Sequence, residues 1–236
     1  MIRINKYLAN MGLCSRRKAD EYILCGSVRI GNRVANHGDK IDPERDTIKF
    51  RGKIVTNKNV KYEYWVLYKP IGVVSTSFDE KGRTNVTNLV HSDKRLYPVG
   101  RLDTDSEGLI VLTNDGNFAN KLMHPSNNHI KTYQVIVSFV YKSHVKWIKS
   151  QLEKGIEIDN KTMKAEKVLK IETIPNNKLV IDMQLITGYN RQIRKMCDKI
   201  GLKVEKLTRT GIGKFILGQQ KLSPGESKKI NIEDII

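Results

Sequence analysis

Gly100-Arg101-Leu102-Asp103-Thr104-Asp105-Ser106-Glu107-Gly108-Leu109-Ile110-Val111-Leu112-Thr113 is the stretch on which the reading of this chain turns. A loop crowded with carboxylates and glycines runs straight into four apolar residues, Leu109 to Leu112, the pattern of a buried strand. A carboxylate so close to a buried strand sits where desolvation can tune its ionisation. Asp103 is the candidate on that ground, although an aspartate in a glycine-bounded loop is ordinarily a turn residue.

Upstream of this stretch, Tyr62 to Tyr68 reads as a strand that Pro70 stops, because proline cannot donate to a ladder. Thr84 to Val90 reads as a short helix, and Lys94 to Val99 leads into the central loop. Downstream, a helix is expected over Asn117–His124, a strand over Lys131–Val140, and an amphipathic helix with Trp147 over Ser143–Leu152. Lys164–Ile171 and Leu179–Ile186 alternate like two antiparallel strands. Gly188 turns the chain, Arg191–Ile200 is a helix closed by Gly201, and Lys203–Thr208 is a strand. Lys221–Ile236 reads as a peripheral ending. Strands interleaved irregularly with helices predict an α+β domain rather than a doubly wound parallel sheet.

The first 60 residues form a separate unit. Ile4, Tyr7, Leu8 and Met11 recur at helical spacing up to Gly12, and Ser15 caps a second helix, Arg16–Leu24, which Gly26 closes. Val28–Ile30 and Arg33–Val34 flank Gly31-Asn32 as a hairpin. Arg51–Lys61 reads as the linker, giving domains 1–60 and 61–236. Arg3, Lys6, Arg16, Arg17 and Lys18 lie near helix starts, where cations and free backbone N–H groups can meet phosphate together.

Forty-two Lys and Arg against 25 Asp and Glu leave a net charge of +17, which favours a polyanionic partner. Eight cations (Arg191, Arg194, Lys195, Lys199, Lys203, Lys206, Arg209, Lys214) against Asp198 and Glu205 give a net +6 over one short span, the signature of an RNA-facing flank. Cys14, Cys25 and Cys197 show no C-x-x-C pair, so neither a zinc site nor a disulfide framework is readable. With no membrane-length apolar stretch, a cytoplasmic monomer is expected.

Arg-x-Asn-Lys-Tyr-Leu, Cys-Ser-Arg-Arg-Lys-Ala-Asp and Gly-Ser-Val-Arg-Ile, in that order, resemble the S4 RNA-binding domain. The central stretch resembles the catalytic motif of the RsuA-type ribosomal pseudouridine synthases. Lys69-Pro70-Ile71-Gly72 with Val-Val-Ser-Thr, Lys131-Thr132-Tyr133-Gln134-Val135, and Gly188 through Cys197 match that family's other motifs in order. The Asn-Arg-Gln-Ile-Arg version looks most like the RluF-type enzymes of large-subunit rRNA. The resemblance implies an S4-like module followed by a mixed, mainly antiparallel β-sheet with flanking helices.

It also implies roles. Isomerising uridine means breaking its N-glycosidic bond, turning the uracil and rejoining it through carbon 5, on a base extracted from any stack. That chemistry needs a carboxylate near the ribose, a flat surface for the base and a cation for the carboxylate, but no metal and no redox cofactor. By resemblance Asp103 is the carboxylate, either attacking the sugar or removing a proton from it. Tyr133 can stack on the base and also offer a hydroxyl for proton transfer, Arg194 points at Asp103, Arg191 and Lys195 meet phosphate, and Leu207 is an apolar wall. Arg101 is a phosphate or stem contact, and Ser15 belongs with the cations of the S4-like unit. Asp105 and Glu107 are left as solvated or turn residues. The same chemistry on tRNA, or a non-catalytic S4-type RNA-binding protein, are the rival readings.

Overall fold

The computed structural model describes residues 1–56, 60–139 and 144–235. The chain divides into two compact units. One is Met1–Glu63 with the short segments Ser92–Arg95 and Asn114–Gly116; the other is Tyr64–His91, Leu96–Thr113 and Asn117–Ile236.

In the first unit, strand β1 (Ile2–Arg3) leads into helix α1 (Ile4–Asn10), and α2 (Arg16–Leu24) follows with the Ser15 side chain accepting from the Lys18 amide. Strands β2 (Val28–Ile30), β3 (Arg33–Val34), β4 (Lys40–Ile41), β5 (Ile48–Phe50) and β6 (Lys53–Val55) complete it. β4 pairs with β1, and the others form a sheet in the order β3-β2-β5-β6. Ile4, Tyr7 and Leu8 of α1 and Ala19 and Ile23 of α2 close its core over Val28, Ile41 and Ile48. The linker expected from Arg51 is corrected here. Arg51 and Gly52, both at positive φ, make the tight turn of a β5–β6 hairpin, so the unit continues through Val55. Of the expected linker, residues 57–59 lie outside the described residues.

The second unit is built on β7 (Tyr64–Lys69), β8 (Tyr97–Val99), β9 (Glu107–Thr113), α3 (Gly116–Met123), β10 (Lys131–Phe139) and α4 (Val145–Lys154). A hairpin of β11 (Ile156–Ile158) and β12 (Lys161–Met163) follows, turning through Asp159 and Asn160 at positive φ. Then come β13 (Lys167–Ile174), β14 (Lys178–Leu185), α5 (Gln192–Lys199), β15 (Leu202–Ile212), β16 (Phe215–Ile216), α6 (Leu217–Gln220) and β17 (Ser227–Ile230). The expected helix near Thr84–Val90 is a short 3-10 helix, Val86–Leu89. The expected ends at Val140 and Ser143 lie outside the described residues.

The main sheet runs β13-β14-β10-β15-β9-β7-β17, with β16 on β15 and β8 on β9, and every pairing but β9–β15 is antiparallel. The fold is thus α+β with a mixed, mostly antiparallel sheet. Strand β14 alternates between half-buried and buried side chains, the period of a strand with one face on a core. Strand β9 is buried at all seven positions because both of its faces are covered. Leu109 and Val111 join the core with Phe118 and Leu122 of α3, while Ile110 and Leu112 join Val86 and Val90 on the other face. The chain end is not peripheral: β17 pairs with β7, and Ile235 is fully buried.

One edge of β9 is covered along its length by β7. Its other edge is shared, by β15 at Glu107 and Gly108 and by β8 at Val111 to Thr113. β15 and β8 part between those registers, which opens the sheet at the carboxylate loop. The shared parallel contact depends on Gly108. It has φ +109°, and a Cβ there would lie 2.3 Å from the Arg209 carbonyl oxygen. Gly108→Ala should therefore destabilise the protein by at least about 2 kcal/mol, through strain at that φ and loss of the contact. Urea unfolding of the variant beside the natural chain measures this, and an unchanged midpoint would refute the argument.

Candidate active site

The loop that follows β8 begins at Gly100, whose φ of +77° suits glycine. It is then clamped from the segment after β7. Ser75 Oγ accepts from the Leu102 amide at 3.0 Å and donates to the Leu102 carbonyl at 2.7 Å. The Gly72 amide donates to Thr104 O at 2.8 Å, and the Ser106 amide to Asp103 O at 3.1 Å. Leu102 and Ser106 are buried, so Asp103 is held between two fixed points with its side chain 35% exposed.

Behind the loop stands Lys69, which has no exposed surface and donates through Nζ to Pro70 O and Val73 O, both at 2.9 Å. Burial pulls its ammonium down from the usual 10.5 to about 8, against the upward pull of Asp103, Asp105 and Glu107. Glu107, on β9, accepts from Tyr68 Oη at 2.8 Å, Lys206 Nζ at 3.0 Å and Thr208 Oγ1 at 3.0 Å. Burial raises the Glu107 carboxyl, but those donors outweigh it and leave the group below its ordinary range. On the other side, burial and then the Glu107 carboxylate push the Tyr68 hydroxyl up to about 12.

The facing wall is the turn before α5. Arg191 occupies the N-cap in the left-handed region (φ 52°), uncommon for a residue with a side chain. The turn is held by the buried Gln192, whose Oε1 accepts from the Tyr189 amide at 3.1 Å and Thr187 Oγ1 at 3.0 Å. From there the Arg191 guanidinium reaches Asp105 Oδ2 at 3.1 Å and stands 3.7 Å from Asp103 Oδ2. Burial raises the Asp105 carboxyl, and the Arg191 hydrogen bond with the charges of Arg194 and Arg191 more than reverses it.

Between the walls lies a cleft of about 750 Å³, within the range of small-molecule sites. Asp103, Arg101, Tyr133, Arg191 and Leu207 all line it. Tyr133 is buried at a β-bulge, where the β10–β15 register shifts between Thr132 and Tyr133, an irregularity of the kind that re-aims a side chain.

Several expectations change. Arg194 does not meet Asp103; its Nη2 donates to Asp105 O at 2.9 Å and lies 3.4 Å from Asp105 Oδ2, and Nη1 donates to Val204 O. Arg191 is the arginine nearer Asp103, and it is the N-cap of α5 rather than the first residue of the helix. Lys195 pairs with Asp159. Asp105 is an anchor for both arginines, and Glu107 is a buried strand residue, so neither is a free turn carboxylate. Arg209 is only 3% exposed, not part of an open flank. In the first unit Arg3, Arg16 and Arg17 are exposed, Lys6 is half-buried, Lys18 pairs with Glu21, and Ser15 serves as a helix cap.

Lys69, Ser75 and Lys131 were not singled out from the sequence, although each lies in or beside a quoted motif. Among the described residues, no three His, Cys, Asp or Glu side chains are grouped to hold a metal ion.

The lowered Lys69 ammonium has a thermodynamic consequence. Between about pH 8 and pH 10.5 the unfolded chain keeps a proton that the folded chain has released, so stability rises with pH in that window. At about 1.4 kcal/mol per pH unit the rise is on the order of 3 kcal/mol. Lys69→Met should lack it, so the stability gap between variant and natural chain should change across the window. A gap independent of pH in urea titrations would show that Lys69 is not the group responsible.

Residues 63–199 match the family model described as RNA pseudouridylate synthase, and residues 2–47 match that of the S4 domain. The chain is 36% identical over 236 residues to the dual-specificity RNA pseudouridine synthase RluF of Escherichia coli (strain K12), covering 100% of this chain and 77% of that one. It is 37% identical over 238 residues to the ribosomal large subunit pseudouridine synthase B of Bacillus subtilis (strain 168), covering 100% and 94%. A crystal structure of a pseudouridylate synthase superposes with a TM-score of 0.67 at 25% identity, covering both chains fully.

Proposed function

Because the chain belongs to the RNA pseudouridylate synthase family, we propose that it converts uridine to pseudouridine in ribosomal RNA, specifically that of the large subunit, with Asp103 as the catalytic carboxylate. The observation that carries the assignment is the Asp103 carboxylate held 3.7 Å from the Arg191 guanidinium, in a cleft walled by Tyr133 and Leu207. The substrate assignment rests on relatives whose names specify RNA and the ribosomal large subunit.

The geometry supports the following course of reaction. A uridine turned out of its stack enters the cleft with its base against Tyr133 and Leu207 and its ribose toward Asp103. Asp103 then either bonds to C1′ or takes the C2′ proton, and in both routes the C1′–N1 bond breaks with its electron pair leaving on the uracil. Rotation brings carbon 5 to C1′, and a new C–C bond forms from the base's electrons as the Asp103–C1′ ester bond breaks or, on the other route, as Asp103 returns the proton to C2′. The carbon 5 proton then departs and N1 gains one.

Arg191 sets a positive charge 3.7 Å from the Asp103 carboxylate and so helps to orient it as the base displaces water. Arg194 holds the backbone of Asp105 and so the shape of the loop. Asp103→Asn should fold and bind RNA but form no pseudouridine, because an amide can neither attack nor take a proton. Arg191→Lys should slow single-turnover conversion about tenfold or more with little change in RNA affinity, losing the planar fork that spans Asp103 and Asp105. Chromatography of nuclease-digested large-subunit rRNA reads both variants. A substantial rate for Asp103→Asn would overturn the site.

The first unit supplies affinity. Arg3, Arg16 and Arg17 are exposed and outside the ion pairs described, as phosphate contacts would be. Replacing all three with Gln should lower the slope of log affinity against log salt by about 2–3 while sparing the saturated rate. An unchanged slope in filter binding would place the phosphate contacts elsewhere.

A further inference from the structure

The cleft holds two cations that the reading above leaves without work. Lys131 and Arg209 both line it, on the sheet floor beside Tyr133. Lys131 is two residues before Tyr133 on β10 and so shares its face, and Arg209 is the register partner of Tyr133 on β15. Resting on the reading of this cleft as the pseudouridine-forming site, we propose that Lys131 and Arg209 receive the negative charge of the uracil while it is detached from the ribose.

Their surroundings call for an anion. Arg209 is 3% exposed; its Nε donates to Leu109 O at 2.6 Å, and its buried Nη2 has no acceptor among the described residues. Lys131 donates to Ile186 O at 2.8 Å. Both partners are neutral carbonyls, so the half-buried Lys131 and the buried Arg209 bring like charges near each other with no ion pair to either among the described residues, a costly arrangement unless a ligand completes it. Burial lowers the Lys131 ammonium below its usual range, and the neighbouring Arg209 charge adds to the effect.

Depth selects the ligand. A phosphodiester approaches from the cleft mouth, where the exposed Arg101 already stands. A planar base laid against Tyr133 instead presents its carbonyl edge to the floor. When the C1′–N1 bond breaks, the electron pair spreads over N1, O2 and O4. The Lys131 and Arg209 N–H groups donate hydrogen bonds to those oxygens, and no proton is transferred to them. The charge vanishes when carbon 5 bonds to C1′, so the two cations act on the detached state rather than on bound uridine.

The test is a leaving-group comparison on large-subunit rRNA transcribed in vitro with uridine or with 5-fluorouridine. Fluorine at carbon 5 stabilises the uracil anion by induction and reduces the need for the floor. Single-turnover loss of the N-linked nucleoside is followed by nuclease digestion and chromatography. The natural chain is compared with Lys131→Met and Arg209→Gln, with Arg209→Lys as a charge-keeping variant should Arg209→Gln fail to fold.

Lys131→Met should slow the uridine RNA by on the order of 10²-fold. Its defect on the fluorinated RNA should be about tenfold smaller, with RNA affinity and its salt dependence unchanged. Equal slowing on both RNAs would overturn the proposal. So would a loss of affinity with a salt slope lower by about one, the mark of a phosphate contact. If the natural chain forms no pseudouridine at all, the functional reading itself fails, which is a separate outcome.

Discussion

The close parallel contact between β9 and β15 is the constraint from which the site follows. It exists at only two register positions, Glu107 with Thr208 and Gly108 with Arg209, and it requires a residue without Cβ at 108. Because β15 reaches β9 only there, the rest of that edge falls to β8, and the sheet is split at the position where the loop carrying Asp103 leaves β8. The cleft is therefore a gap in the sheet, with strand residues as its floor and two clamped turns as its walls. An α/β sheet with regular crossovers would offer no such gap, since its strands stay paired across the middle of the sheet.

The carboxylates of the central loop then divide their duties. Glu107 is consumed by three donors, and Asp105 by the two arginines. Asp103 alone remains half-free, with Arg191 nearby but too far to bind it as tightly as it binds Asp105. That difference matters for chemistry. A carboxylate locked into a short bidentate pair is poorly available, whereas one with its cation at 3.7 Å keeps its lone pairs open to the cleft. Asp105 thus holds the guanidinium in place so that Asp103 need not.

Periodicity and turn chemistry made most elements legible. The Ser15 cap, the Gly31-Asn32 hairpin, the run Leu109–Leu112 and the alternation in β14 are local signals that the fold does not override. The β11–β12 hairpin was missed although Asp159-Asn160 is a turn signal, because its strands have three residues each and carry no period. The edge strand β17 was missed because its Lys228 and Lys229 face outward and disguise a pairing that only β7 provides. In the site, Asp103, Tyr133 and Leu207 were readable as motif positions. The partner of each arginine was not. Arg191 and Arg194 are three apart, and one left-handed φ at Arg191, invisible in residue identity, decides which of them faces Asp103.

The same electrostatics bears on how the site tolerates its substrate. RNA brings a negative charge with every nucleotide, and a phosphate near Asp103 is repelled by that carboxylate. A net charge of +17 lessens that repulsion globally, but screening confines distant charges to roughly a Debye length of about 8–10 Å. Only cations inside the cleft can act at the moment of bond breaking, when water has been displaced. Arg191 stands at the carboxylate, while Lys131 and Arg209 stand at the floor, so positive charge lies at both places where negative charge must be held. Separating them suits a reaction in which the carboxylate and the departing base are anionic together. A single cation between the two would draw them toward one point, whereas two positions let the base turn without dragging the carboxylate from the ribose.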